Sequence, residues 1–238
     1  MSEVAERLEQ VRARLAAAAA NAGRTPHSVR LVAVSKFQPA SAIREAYAAG
    51  QRDFGENYVQ ELEQKATELV DLLELRWHMI GHLQRNKARF VARLAHALHT
   101  AHSVELVREL DKRAAERAAH FSAEAARLDT LVEVNVGAEA QKSGAAPEAL
   151  AEILEAIERA PRLRLAGLMC VPPQTEDPSG ARPFFDQLVR LRDVHGGAAR
   201  LPELSMGMTS DLEHAVLAGA TIVRIGTAIF GERPKAAS

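Results

Sequence analysis

The sequence has little of several features that would assign it to a familiar class. It contains one cysteine, Cys170, in 238 residues, which excludes an internal disulfide framework and a zinc site made of cysteines alone. Its 30 basic and 31 acidic residues nearly balance, so charge does not favour nucleic acid or an anionic membrane as a partner. No apolar run approaches the roughly 20 residues that span a bilayer, and no secretory signal opens the chain. We therefore expect a cytoplasmic protein with no nucleic-acid or membrane partner.

Motifs for several common cofactors are also missing. The chain has no Walker A loop, no GxGxxG, no HExxH and no CxxC. ATP, nicotinamide cofactors and structural zinc therefore have no sequence support, and we predict neither a metal site nor a catalytic residue.

What the sequence does contain is a regular alternation of strand and helix patterns. After an amphipathic helix over residues 2–22, eight short apolar segments alternate with helical ones. The predicted strands are Leu31–Lys36, Arg52–Gly55, Leu75–Ile80, Ala97–Ala101, Leu131–Val136, Arg164–Met169, Glu203–Ser205 and Thr221–Ile225. Strict alternation indicates a parallel α/β sheet, and eight units in about 200 residues favour a single (β/α)8 TIM-like barrel with an extra N-terminal helix. An open doubly wound sheet is the alternative. No linker interrupts the pattern, so we predict one domain over residues 1–238.

Polar and small residues lie in or just after several predicted strands, where a barrel would bring them to its C-terminal rim. They are Lys36, Asn57, His78, Ser205, Arg224, Gly226 and Thr227. Two segments, SMGMTSD at 205–211 and IGT at 225–227, place small residues and backbone N–H groups between a strand and a helix. Such groups bind phosphate, and barrels often carry a phosphate site after strands seven and eight. A helix N-cap at Thr209 or Ser210, with Asp211 in the first turn, explains the first segment equally well.

Lys36 ends a strongly apolar predicted strand, where burying a lysine is costly without a partner or a function. The simpler alternative is that its side chain leaves the strand into solvent. A phosphate site on the same rim favours the functional interpretation, because partial burial and nearby cations lower the pKa of a lysine and free its amine to attack an aldehyde. A phosphorylated aldehyde that pairs with lysine is pyridoxal 5′-phosphate, PLP.

Seven stretches spaced over nearly the full length resemble the pyridoxal phosphate homeostasis protein family. They read LVAVSK, GQRDFGENYVQEL, WHMIGHLQRNK, NVGAEAQKSG, LAGLMCVPP, SMGMTSDLEHAVLAGAT and VRIGTAIFGER. The resemblance implies a barrel similar to the N-terminal domain of alanine racemase, with PLP as a Schiff base on Lys36. It also implies a set of further cofactor-binding residues: Ser205, Gly226 and Thr227 for the phosphate, Arg224 for the pyridine nitrogen, and Asn57 near the ring.

The resemblance further implies a carrier or regulator of PLP without catalytic turnover, which passes PLP to apo PLP-dependent enzymes. A racemase of this type takes a second acid/base group from a separate C-terminal domain, and we expect no such domain before Ser238. The alternatives are a stand-alone PLP enzyme such as an amino-acid racemase, and a barrel that binds another phosphorylated metabolite. We expect a monomer, and the sequence leaves the role of His78 open.

Overall fold

The fold is a closed barrel of eight parallel strands. In a computed structural model of the chain, residues 2–119, 121, 126–139 and 143–232 are described. Consecutive strands pair in sequence order, and the last pairs with the first. The strands are β1 Arg30–Val34, β2 Asp53–Glu56, β3 Arg76–Met79, β4 Ala97–Ala101, β5 Leu128–Glu133, β6 Leu163–Met169, β7 Glu203–Ser205 and β8 Ile222–Ile225. The predicted (β/α)8 barrel is confirmed, and the open-sheet alternative is wrong.

Helices surround this barrel. Those in the described ranges are α1 Glu3–Asn21, α2 Ala40–Ala48, α3 Val59–Glu68, α4 Ala88–Leu94, α5 Val104–Arg113, α6 Leu150–Arg159, α7 Arg182–Val194, α8 Gly197–Arg200, α9 Leu212–Ala218 and α10 Thr227–Phe230. None of them is long and apolar enough to cross a membrane.

The predicted N-terminal helix, α1, is present and lies outside the eightfold repeat. It begins after Ser2, whose side-chain oxygen accepts the amide of Ala5 and so caps the helix. Its apolar stripe, with Leu8, Val11 and Leu15 buried, packs against α2, α9 and α10, the helices that flank β1 and β8.

Several strand ends lie one or two residues from their predicted positions, so that Lys36 follows β1 instead of ending it, and two elements differ more. β5 lies at Leu128–Glu133 and pairs with β6 along that length, three residues earlier than predicted. The apolar alternation misled us because Val134 and Val136 are also buried, although they follow the strand. The short helix α8 was not predicted, since it begins at a glycine pair that usually signals a turn. The single-domain assignment to residues 1–238 stays a prediction.

Strand alternation divides the side chains between the barrel interior and the surrounding helices. A small inner cluster contains Val32, Leu131, Ala166, Met169 and Ile222, while the large core lies between sheet and helices. All strands point the same way, so their carboxyl ends share one rim. In each strand every second side chain points into the barrel. Polar residues at the next such position, just past the strand end, therefore meet at that rim.

Candidate functional site

The carboxyl ends of β8, β1 and β2 lie side by side at the C-terminal rim. Pairing sets Ala33 beside Ile225, and Val34 beside Gly55, so the residues that follow each strand are neighbours. A Cβ atom at Gly226 would lie 3.1 Å from the carbonyl oxygen of Val34, which shows how closely the two strand ends approach. The predicted site residues Lys36, Asn57, Gly226 and Thr227 thus follow three adjacent strands.

The backbone of Asn57 lies in close contact with Gly81. A Cβ atom at Gly81, just beyond β3, would lie 2.1 Å from the carbonyl oxygen of Asn57, so only glycine fits there without a shift. Asn57 is half-buried, and its side-chain amide makes no hydrogen bond to another residue of the described ranges. Its amide is therefore available to a ligand at the rim.

Lys36 is half-buried in the turn that follows β1. An ionic cluster next to this turn is bonded to its backbone at Ser35. The ammonium of Lys65, on α3, donates to the carbonyl of Ser35 at 2.7 Å, to Glu56 Oε1 at 2.8 Å and to Glu61 Oε2 at 2.7 Å. The hydroxyl of Ser35 also donates to Glu56 Oε1 at 2.7 Å. Burial raises the pKa of the Glu56 carboxyl, and the charge of Lys65 opposes that shift. Sequence reasoning missed this cluster, although the i,i+4 spacing of Glu61 and Lys65 was a visible signal.

The backbone next to Lys36 is strained. Phe37 has a φ of 63°, a left-handed conformation that costs a non-glycine residue roughly 1–3 kcal/mol. Its amide donates to Glu61 Oε2 at 2.7 Å, which stabilises the turn. The Phe37 ring lies 5.4 Å from that of Tyr58, and both rings are exposed beside the rim. Strain of this kind concentrates at functional sites because surrounding contacts must hold it in place.

Arg224 is a buried cation at the end of β8. Its Nη1 donates to Ser205 Oγ at 2.7 Å and its Nη2 donates to the carbonyl of Cys170 at 3.0 Å. Burial lowers the pKa of the guanidinium, while the carboxyl groups of Glu133 and Asp211 oppose that shift. Because arginine has five N–H donors, these two acceptors leave donors for a ligand.

The segment SMGMTSD differs in detail from its sequence prediction. The N-cap of α9 is Asp211 rather than Thr209 or Ser210, and its carboxylate accepts the amide of Met208 at 2.6 Å. Ser205 is fully buried, and its hydroxyl contacts both Arg224 and His99. Thr227 is exposed at the start of α10, and its hydroxyl has no partner within the described part of the chain.

Glu133 is a functional candidate that sequence reasoning missed. It ends β5, follows the inward-facing Leu131 by two residues and is buried. Its Oε1 accepts from the Ser143 hydroxyl at 3.0 Å, while its Oε2 is buried without a hydrogen-bond partner among the described residues. Burial raises the pKa of this carboxyl, and the charges of Arg224 and His102 oppose that shift. A charged residue inside an apolar strand was the available signal.

Cys170 is packed in the core just past the end of β6. It is buried after β6, and burial raises the pKa of its thiol to about 12. A thiol that stays protonated is a poor nucleophile, so Cys170 serves packing.

Two of the motif stretches, NVGAEAQKSG and VRIGTAIFGER, include residues 140–142 and 233, which lie outside the described residues.

Comparison with known proteins gives concordant matches. The family model of the alanine racemase N-terminal domain matches residues 7–234. A pyridoxal phosphate homeostasis protein of Pseudomonas aeruginosa is 46% identical over 98% of this chain and 97% of its own length. The Escherichia coli K12 protein of that name is 42% identical, with 98% of each chain covered. The structure of PipY from Synechococcus elongatus with PLP bound has a TM-score of 0.79 and 37% identity, and covers 96% of this chain and all of its own.

These matches extend over almost the whole chain, and their identities lie well above the range in which only a fold is shared. The relatives carry the name of homeostasis proteins rather than that of an enzyme. With its closed barrel and its lysine in the turn after β1, this chain belongs to the pyridoxal phosphate homeostasis protein family, within the wider group that shares the alanine racemase N-terminal domain.

Proposed function

We propose that this protein binds PLP at the C-terminal rim of the barrel, as a Schiff base on Lys36, and serves PLP homeostasis. The observation that carries this proposal is the pairing of β1 with β8. It brings the turn after β1, which contains Lys36, close to the end of the strand that carries the buried guanidinium of Arg224. The relative PipY, whose structure contains PLP, supports the assignment.

The donor groups at the rim fit the chemistry of PLP. Lys36 offers an amine for the aldehyde, and Thr227 offers a hydroxyl for the phosphate. Arg224 has donors and no acceptor, so it suits a pyridine nitrogen that accepts a hydrogen bond. Asn57 offers an amide with both donors and an acceptor for the ring substituents. When bound, PLP supplies an aldehyde that condenses with amines and a ring that withdraws electrons.

Ser205 takes a different role in this proposal from the one that the resemblance implied. Its hydroxyl is fully buried and already engaged by two protein groups, so a phosphate contact would need to break those bonds. We therefore assign Ser205 to the support of Arg224, and the phosphate to Gly226 and Thr227. Arg224 can only donate, so it keeps the pyridine nitrogen unprotonated and weakens the ring as an electron sink.

The proposed function includes loading and release rather than turnover. We propose apo PLP-dependent enzymes as recipients, and the monomeric state and the cytoplasmic location stay predictions from the sequence. Purified protein loaded with PLP should therefore pass PLP to an apo-enzyme, which is measured as recovered activity of that enzyme. It should not racemise, transaminate or decarboxylate common amino acids faster than free PLP. Robust turnover that is lost in Lys36→Ala would contradict the proposal and favour a racemase-like enzyme.

The assignment of Thr227 predicts a measurable contribution to PLP affinity. Thr227→Val should weaken PLP binding by about 1–3 kcal/mol, because a hydrogen bond to a charged phosphate is lost. Pyridoxal, which lacks the phosphate, should bind the wild type poorly and respond little to the substitution. Affinities are measured by titration of the visible absorption of the protein.

The matched control is Thr25→Val, since Thr25 is exposed before β1 at the opposite end of the barrel and makes no side-chain capping bond. This control should leave PLP affinity unchanged. Equal affinity of the wild type for pyridoxal and PLP would show that the rim residues do not bind the phosphate group.

A further inference from the structure

A chain of buried hydrogen bonds runs through the barrel interior below Arg224. Ser205 Oγ accepts from Arg224 at 2.7 Å and lies 2.8 Å from His99 Nδ1. His99 Nε2 lies 3.0 Å from His78 Nδ1, and His78 Nε2 lies 2.9 Å from Asp53 Oδ1. All five side chains are less than a tenth exposed. The chain connects β8, β7, β4, β3 and β2, so it crosses the barrel rather than following one strand.

The two ends of the chain determine its direction. Arg224 can only donate, and an ionised Asp53 can only accept. Burial by itself would raise the pKa of Asp53, but hydrogen bonds from His78 and Arg76 and the charge of Arg76 lower the pKa of this carboxyl, so it is ionised. Burial lowers the pKa of His99 well below its usual value, so the ring of His99 is neutral.

One assignment of hydrogens satisfies every group. Arg224 donates to Ser205, the Ser205 hydroxyl donates to His99 Nδ1, His99 Nε2–H donates to His78 Nδ1, and His78 Nε2–H donates to the carboxylate. Both histidines are then neutral with the proton on Nε2. A second proton on His78 would make His78 Nδ1 a donor, so His99 would have to accept at Nε2 and carry its own proton on Nδ1. Two N–H groups would then point at Ser205 Oγ, and its hydroxyl hydrogen would have no acceptor among the described residues. An unsatisfied buried hydrogen bond of that kind is costly.

We propose that Asp53, His78, His99 and Ser205 form one directional hydrogen-bond chain that holds the Arg224 guanidinium in its orientation toward the cofactor. This inference rests on the proposed function only where it concerns PLP. The histidines are positioning residues, since they act on the ligand through Arg224. Hydrogen bonds that all run the same way polarise one another, which strengthens the bond at Arg224.

The chain also links the rim to the opposite end of the barrel. His78 and His99 line a cavity of about 190 Å³ at the N-terminal end, together with Arg30, Asp129 and Glu203. The far end of the chain, at Asp53, is tied to Arg76 by an ion pair of 2.7 Å. A substitution at the Asp53 end of the hydrogen-bond chain, far from the rim, should therefore change the affinity for PLP.

A double-mutant cycle on PLP affinity tests whether His99 acts through Arg224. His99→Phe keeps a ring of similar volume and removes both nitrogens, and it should weaken PLP binding roughly tenfold in the wild-type background. In an Arg224→Met background the same substitution should change affinity less than about twofold, because its target is gone. His99→Asn keeps an acceptor for the Ser205 hydroxyl and should recover most of the lost affinity. Unchanged affinity of His99→Phe, or an equal loss in both backgrounds, would overturn the proposal.

Nitrogen-15 NMR of the histidine rings tests the direction of the chain in the protein without PLP. His78 and His99, identified by comparison with single variants, should both show the neutral form with the proton on Nε2 near pH 8. A proton on Nδ1 of His99 would refute the proposed direction. This measurement needs no cofactor, so it separates failure of the chain from failure of the proposed function. The latter would instead appear as PLP binding that does not depend on Lys36.

Discussion

Lys36→Ala should abolish the visible absorption band of the PLP-loaded protein and the adduct that borohydride fixes. The physical reason is that a Schiff base needs a neutral primary amine at the aldehyde, and alanine offers none. Contacts to phosphate and pyridine nitrogen are untouched, so some PLP should still bind without a covalent link. The expected result is therefore a change in spectrum and in covalent attachment that exceeds the change in affinity. Absorbance and mass spectrometry after reduction measure both.

Lys87→Ala is the matched control for this experiment. Lys87 is also half-buried and follows a strand of the same barrel, β3, but it contacts the ring of Phe90 instead of the turn after β1. This variant should keep the band and the adduct. A reducible adduct at an unchanged position in Lys36→Ala would show that another lysine carries the cofactor.

Lys65→Met should lower the free energy of unfolding by about 3–5 kcal/mol, the usual cost of removing one partner from a buried ion pair. Glu56 is fully buried, and only one of its carboxyl oxygens has a partner among the described residues, so the loss of Lys65 leaves an uncompensated charge. Denaturant titration measures the change. The turn that carries Lys36 also loses the hydrogen bond to the Ser35 carbonyl, so PLP attachment should weaken in protein that remains folded.

Two comparisons separate this mechanism from a general loss of packing. Lys112→Met removes an exposed lysine from α5 and should change the stability by less than about 0.5 kcal/mol. Adding Glu56→Gln to Lys65→Met removes the stranded charge and should recover part of the lost stability. If the double variant is no more stable than Lys65→Met, the buried charge is not the cause.

The sequence by itself determined the eightfold repeat and singled out Lys36 among the residues near the C-terminal rim. Alternating apolar patterns predict eight strand and helix units, because each strand must bury both faces and each helix one stripe. Even the three-residue strand β7 was predicted correctly, since the polar residues around it and the helices before and after it leave few positions for a seventh strand. Lys36 could be singled out because a lysine after an apolar run conflicts with its surroundings and so needs a function.

Only the tertiary structure decided how the rim is supported. His78, His99 and Ser205 lie on three different strands, and their contacts depend on the stagger of the closed barrel, which local patterns do not encode. The same holds for β5, whose ends are set by pairing with β6 rather than by its own apolar residues. Hydrophobic periodicity reports whether a residue is buried, because burial depends on its own side chain. It does not report the partner, because the partner depends on strands that are distant in the chain and are brought together only when the sheet closes.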